Sequence, residues 1–164
     1  MQVGTRVRYA LRAVFDMAYH GNGRPVTVGE ISRRQRISAR YLEQILHKLT
    51  RAGLVGSKRG PRGGYFLTKA PEACSVHDLM LATEGPLALV PCLECEESPG
   101  AGSPEPGCPS VDRCPARLVW AEAGRRIGEI FGGATIQDLC DRAEQRGIPR
   151  EGAPEGPAPG RDPG

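Results

Sequence analysis

The stretch that most constrains how this chain can fold is Ser38 to Leu67, SARYLEQILHKLTRAGLVGSKRGPRGGYFL. Leu42, Ile45, Leu46 and Leu49 recur at the three-and-four spacing of a buried helical stripe. Ser38 is placed to cap that helix, because its hydroxyl accepts an N–H that the first turn leaves without a partner. Arg40, Glu43, Gln44, His47, Lys48 and Arg51 fall on the opposite face, and Gly53 stands where a left-handed stop is wanted. Val55–Lys58 and Tyr65–Leu67 can then pair as short strands around the basic tip Arg59-Gly60-Pro61-Arg62-Gly63-Gly64. A polar helix face followed by a basic hairpin suits a winged helix-turn-helix that lays its helix in a DNA major groove. An ordinary amphipathic helix with a surface hairpin satisfies the same local pattern. The preceding residues and the charge layout decide between the two.

Upstream, Thr5 to His20 reads as a helix with Val7, Leu11, Val14, Phe15 and Ala18 on one side, stopped by Gly21-Asn22-Gly23. Thr27 and Glu30 form a capping box for a short second helix that buries Ile31 and runs to Arg34. The turn Gln35-Arg36-Ile37 leads straight into Ser38, which is the helix, short turn, helix order of the motif. Charge agrees with this. Residues 1–70 hold 14 Lys+Arg against 3 Asp+Glu, a balance of +11, while the remainder carries −8 to give the net +3. A basic front half so little interrupted by acids is the footprint of a polyanion partner, here double-stranded DNA.

Downstream, Ser75 to Thr83 reads as a helix packed through Val76, Leu79 and Met80, and residues 84–114 lose periodicity. Pro115 suits the first turn of a further helix, on which Ala116, Trp120, Ala123, Ile127 and Ile130 repeat at four-three spacing. That heptad-like seam favours a partner helix and so a homodimer, packing within its own domain being the plainer explanation. Thr135 to Gly147 reads as a last helix, and Ile148–Gly164, rich in Pro and Gly, is expected to be disordered. The fold class expected is mainly α with a small β-wing. A winged helix-turn-helix domain spans 1–84, a cysteine-rich loop 85–114, a dimerisation helix and C-terminal helix 115–147, and a tail 148–164. No run of about 18 apolar residues offers a membrane span, and the N-terminus has no apolar leader core. Nor does a phosphate loop, activated nucleophile or acid/base pair mark an enzyme. A cytoplasmic, non-enzymatic protein is expected.

The blocks RYALRAVFDMAYH, ISRRQRISARYLEQILHKLTRAGLVGSKRGPRGGYFL, SVHDLMLATEGPL and CPARLVW resemble, in that order, the Rrf family of bacterial transcriptional regulators in its IscR- and NsrR-like branch. The likeness covers residues 1–140, and LEQIL, AGLV and RGPRGGY are its most specific parts. It implies a homodimer of winged helix-turn-helix domains joined through a long C-terminal helix, reading two half-sites of a near-palindromic operator. It also implies that Arg40, Tyr41, Glu43 and Gln44, with Ser38 at the head of their helix, face the DNA, and that Arg59, beside Gly60, enters the minor groove. The chemistry agrees: Gln pairs bidentately with adenine, Glu accepts from cytosine, and Arg prefers guanine or a narrow, strongly negative groove.

Six cysteines in such a chain point to metal or redox chemistry and not to a disulfide framework. Cys92, Cys95, Cys108 and Cys114 stand as C-x2-C-x12-C-x5-C, and thiolates favour soft metals and iron–sulfur clusters. By the resemblance, Cys92, Cys108 and Cys114 match the three cysteine ligands of the cluster-binding members. Those members complete the set with a histidine three residues after the last cysteine, where this chain has Arg117, or with a first-helix side chain of the partner subunit, at the positions of Arg8 or Arg12. A guanidinium stays protonated and offers iron no lone pair. Cys95 is therefore the candidate fourth ligand, giving an all-thiolate site for a 2Fe–2S or 4Fe–4S cluster. Structural zinc or a metal-free thiol switch are the alternative uses of the same residues. Cys74 and Cys140 stand alone and read as small apolar residues. The function expected is a repressor whose cluster reports redox state, nitric oxide or cluster supply.

Overall fold

A computed structural model describes residues 3–93 and 113–151. Its elements run α1 (Thr5–Gly21), α2 (Val28–Gln35), α3 (Ala39–Arg51), β1 (Val55–Lys58), β2 (Gly64–Leu67), α4 (Val76–Glu84), α5 (Pro115–Gly133) and α6 (Ile136–Gln145). The hub is α1, which packs against α2, α3, α4, α6 and β2. Val7, Ala10, Ala13, Val14, Met17 and Tyr19 are buried, whereas Leu11, Phe15 and Ala18 are only half-buried. The one-sided stripe expected for this helix is thus too narrow. A helix covered on several sides buries small and flexible residues that periodicity does not single out.

The next two helices follow local chemistry closely. At the head of α2 the Thr27 hydroxyl accepts from Glu30 N–H at 3.2 Å, and the Glu30 carboxylate accepts from Thr27 N–H at 2.7 Å. That contact holds the Glu30 carboxyl below its ordinary pKa. Arg36, at φ 52°, turns the chain out of α2, and α3 begins after Ser38, whose hydroxyl accepts from Tyr41 N–H. Leu42, Ile45, Leu46 and Leu49 are all buried, as their spacing requires. Gly53, at φ 72°, releases the chain into an antiparallel pair with Val55 opposite Leu67 and Lys58 opposite Gly64. Val26 bonds to Tyr65 in both directions at 2.8 Å, an isolated antiparallel bridge on the outer side of β2. Gly64 makes that approach possible, because a Cβ there would meet the Val26 carbonyl oxygen at 2.5 Å.

The C-terminal part is less separate than its sequence suggests. Ile136, Cys140 and Ala143 of α6 join the same core as α1, α2 and α3, together with Cys74 and Leu79. Two hydrogen bonds of 2.9 Å, Val76 N–H to the Ala134 carbonyl and Ile136 N–H to the Cys74 carbonyl, tie the starts of α4 and α6. Burial pushes the Cys74 and Cys140 thiols up to about 11, so both behave as apolar residues. Gly124 and Gly128 bring α5 close to Leu87 and His77, while Phe131 packs on Val7, Val76 and Met80. The other sides of α5 expose Leu118, Val119, Trp120 and Ile130.

Residues expected to begin a disordered tail are instead docked. The Tyr19 hydroxyl donates to the Ile148 carbonyl at 2.6 Å, and the Arg150 guanidinium lies 4.7 Å over the Tyr19 ring. Glu151 N–H donates to His20 Nδ1 at 3.0 Å, and its carboxylate meets Arg33 at 3.2 Å. Residues 152–164 lie outside the described part. Among the described residues no helix is long and apolar enough to cross a membrane.

Candidate nucleic-acid interface and cysteine site

Burying Leu42, Ile45, Leu46 and Leu49 leaves Arg40, Glu43, Gln44 and His47 exposed along the outer face of α3. Tyr41 is half-buried, held edge-on against Tyr9 of α1 with ring centroids 5.8 Å apart. Lys48, assigned by its spacing to the polar face, is diverted: its ammonium donates to the Thr83 carbonyl at the end of α4, at 2.8 Å. The exposed face nearest the N-terminus of α3 is therefore a mixed set of donors and an acceptor, suited to reading base edges.

Beyond β1 the tip carries Arg59 and Arg62, both exposed. Gly60 takes φ 113°, and Gly63 closes the turn by donating to its carbonyl at 2.9 Å. A Cβ on Gly63 would sit 2.3 Å from the Lys58 carbonyl, so the tip is tight by sterics. A tight tip led by an exposed arginine carries the charge that a narrow, strongly negative groove attracts.

Behind α3 lies a polar cluster that reading along the chain did not assemble. Asp16 is fully buried, and its carboxylate accepts from Arg34 Nε at 3.0 and 3.1 Å and from Gln35 Nε2 at 2.9 Å. The pair raises the Arg34 pKa, chiefly through that hydrogen bonding. Arg12 donates to Gln35 Oε1 at 3.1 Å and also to the Gln35 backbone carbonyl. One signal was present in the sequence: Asp16 is an acid in a helix of buried spacing, within a half that holds only three acids.

Of the four cysteines in the candidate metal set, Cys92 and Cys114 are described, whereas Cys95 and Cys108 lie outside the described residues. Cys92 stands in a short turn, Pro91–Leu93, that packs against α5, and Cys114 is the residue before the first turn of α5. Both are half-exposed and free, in contrast to the buried Cys74 and Cys140. Cys114 stands at the N-terminal end of α5, and Cys92 and Cys114 bracket the stretch of sequence that holds the other two cysteines. This donor set fits a soft metal centre, although no group of three metal-binding side chains forms among the described residues alone. Arg8 donates to Thr5 Oγ1 at 2.9 Å, and Arg12 is engaged at Gln35, so neither is arranged as a ligand within its own subunit.

Comparison with known proteins gives this arrangement a context. The pattern of the Rrf2 family, iron-dependent transcriptional regulators, matches residues 3–142. The regulator IscR of Erwinia tasmaniensis is 34% identical over 144 residues, 88% of this chain and 81% of the relative. Protein rrf2 of Nitratidesulfovibrio vulgaris is 36% identical over 139 residues, 85% of this chain and 87% of the relative. Among solved structures, IscR of T. potens superposes with TM-score 0.70 at 30% identity, covering 91% of this chain and 93% of the other. CymR, the global cysteine regulator of B. subtilis, does so with TM-score 0.67 at 27% identity over 87% and 98%. These likenesses run through the helix-turn-helix, the wing and α5, and on them the chain belongs to the Rrf2 family of winged-helix transcriptional regulators.

Proposed function

We propose that the protein is a homodimeric, cytoplasmic repressor that binds a near-palindromic double-stranded operator under control of an iron–sulfur cluster. The observation that carries the reading is the outer face of α3, where Arg40, Glu43 and Gln44 stand exposed over a fully buried apolar stripe, beside a wing tip led by Arg59. Gln44 suits adenine, Arg40 guanine, and Glu43 the amino group of cytosine, each by its donor and acceptor pattern. Ser38 fixes the start of α3, Tyr41 is braced by Tyr9, and Gly60 lets Arg59 lead into the minor groove. The exposed stripe of Val119, Trp120 and Ile130 on α5 supports the dimer, because a monomer gains nothing from leaving it in water. A two-fold dimer then meets two half-sites together.

Cys92, Cys95, Cys108 and Cys114 would hold the cluster, a 2Fe–2S or 4Fe–4S centre. When bound, it supplies thiolate-ligated iron chemistry that responds to redox state, nitric oxide or cluster supply. The chain's own link from that loop to the DNA is short: Lys48 of α3 is bonded to the Thr83 carbonyl, and the cysteine loop starts where α4 ends. A shift at the loop root therefore moves the recognition helix, and operator binding must act back on the loop by the same free energy. Anaerobic purification with iron, sulfide, zinc and visible-absorption analysis tests the sensor. Brown protein with iron and sulfide, lost in Cys92→Ala and Cys114→Ala but not in Cys74→Ala, is expected. Colourless protein holding zinc, or no metal, would overturn the cluster and leave the structural-zinc or thiol-switch alternative.

A further inference from the structure

We propose that Arg12 and Gln35, with Asp16 behind them, form a positioning clamp that sets how α3 is presented to DNA. This rests on α3 being the recognition helix. Gln35 is the last residue of α2, and Ser38, which caps α3, comes only three residues later. Between them Arg36 is left-handed and Ile37 is the one buried anchor. A corner this short has little of its own to hold it.

The carboxamide of Gln35 is gripped from α1 at both ends. Its Oε1 accepts from Arg12 Nε at 3.1 Å, and its Nε2 donates to Asp16 Oδ2 at 2.9 Å. Arg12 can only donate and an ionised Asp16 can only accept, so the amide has one orientation that satisfies both. Arg12 further donates to the Gln35 backbone carbonyl, which fixes the corner's main chain as well as its side chain. On the inner side the Ser32 hydroxyl donates to the Ile37 carbonyl at 2.7 Å. The Arg12 guanidinium also lies 5.6 Å from the Tyr9 ring centroid, and Tyr9 meets Tyr41 edge-on in the first turn of α3. One exposed arginine thus bears on the corner and on the recognition helix together. Its planar fork is what allows this, and a lysine would not reproduce it.

The rival role for an exposed arginine in a basic domain is a direct phosphate contact, and the two differ measurably. Full-length protein carrying Arg12→Lys, Arg12→Ala, Gln35→Ala or the Arg12→Ala/Gln35→Ala pair is titrated with a duplex selected by the parent from a random pool. A scrambled duplex of equal length serves as the comparison. The clamp predicts that Arg12→Lys and Gln35→Ala each lose affinity for the selected duplex roughly tenfold, the effect of losing charge-assisted hydrogen bonds. Binding of Arg12→Lys to the scrambled duplex stays at the parent's level, and the paired variant is no worse than the worse single one. A lysine variant equal to the parent, with an alanine variant whose salt slope drops by about 0.9, would overturn the clamp in favour of a phosphate contact. So would strictly additive losses. Amide hydrogen exchange without DNA provides an independent arm: Arg36 to Tyr41 should exchange faster in Arg12→Lys and Gln35→Ala, with α6 unchanged. Unaltered exchange at the corner refutes the clamp, whereas failure of the parent to prefer any duplex refutes the recognition-helix reading.

Discussion

Replacing Arg34 by alanine should be among the most damaging single changes outside the apolar core. The Asp16 carboxylate is fully buried, the Arg34 side chain is 6% exposed, and their contact is bidentate through Nε and Nη2. Arg34→Ala leaves Asp16 in the interior with only the Gln35 amide as donor. Stripping one partner from a buried ion pair costs about 3–5 kcal/mol, because the remaining charge keeps its desolvation penalty without its compensation. That is a large share of the ~5–15 kcal/mol that holds a domain folded. For a chain of this size it corresponds to a fall in Tm of roughly 6–20 °C. Urea unfolding followed by circular dichroism measures the difference at constant slope. The double variant Asp16→Leu/Arg34→Met, which removes both charges and fills the space, should recover much of the loss. If Arg34→Ala costs under about 1 kcal/mol, the pair is solvated in solution and the reasoning fails.

The strap at Ile148–Glu151 should loosen on acidification. Burial, the largest influence on His20, holds its pKa below the ordinary 6.5, and only the neutral ring accepts the Glu151 N–H. The folded state therefore resists a proton that the unfolded chain takes up, so the contribution of His20 to stability is constant above pH 6.5 and falls as pH drops below it. Tail-amide exchange and an NMR titration of His20 would show this, and a His20 pKa above 6.5 would contradict it. If the proposed dimer forms through α5, Trp120→Glu should lower the sedimenting mass from that of two chains to that of one, and an unchanged mass would remove that stripe as the interface. Lys48→Met should bind the selected duplex at parent affinity when metal-free, yet lose most of the difference between cluster-loaded and metal-free protein. An unaltered difference would show that the bond to the Thr83 carbonyl carries no coupling.

Local structure was legible wherever one chemical rule acts over a few residues. The Thr27–Glu30 box, the Ser38 cap, the four-residue stripe of α3, the left-handed Gly53 and the pairing of the two wing strands need only near neighbours to form, although β2 begins one residue earlier than expected, at Gly64. The Rrf-type likeness extended this to the order of elements. What stayed hidden depends on residues far apart in the chain. Asp16 meets Arg34 and Gln35 across a turn, and no periodicity marks an acid as buried. Cys140 and Ala143 of α6 enter the N-terminal core, so the C-terminal helix is not a separate unit. The docking of Ile148–Glu151 was missed because composition weighs a Pro- and Gly-rich tail as a whole, while Tyr19, His20 and Arg33 act on four residues of it. Lys48 sat in the polar stripe by spacing alone, and only the fold brings the Thr83 carbonyl to its ammonium. Of the candidate metal ligands, Cys92 and Cys114 can be placed, and Cys95 and Cys108 fall outside the described residues.

The most direct measurement is a competition titration of anaerobically prepared protein, and of Glu43→Ala and Gln44→Ala, against the selected duplex and its single-base-pair variants. Each lost contact should relax discrimination at its own base pair, by about 1–3 kcal/mol, while affinity for scrambled duplex and the salt slope stay as in the parent. Uniform weakening on every duplex, or full retention of selectivity in both variants, would show that the outer face of α3 does not read sequence.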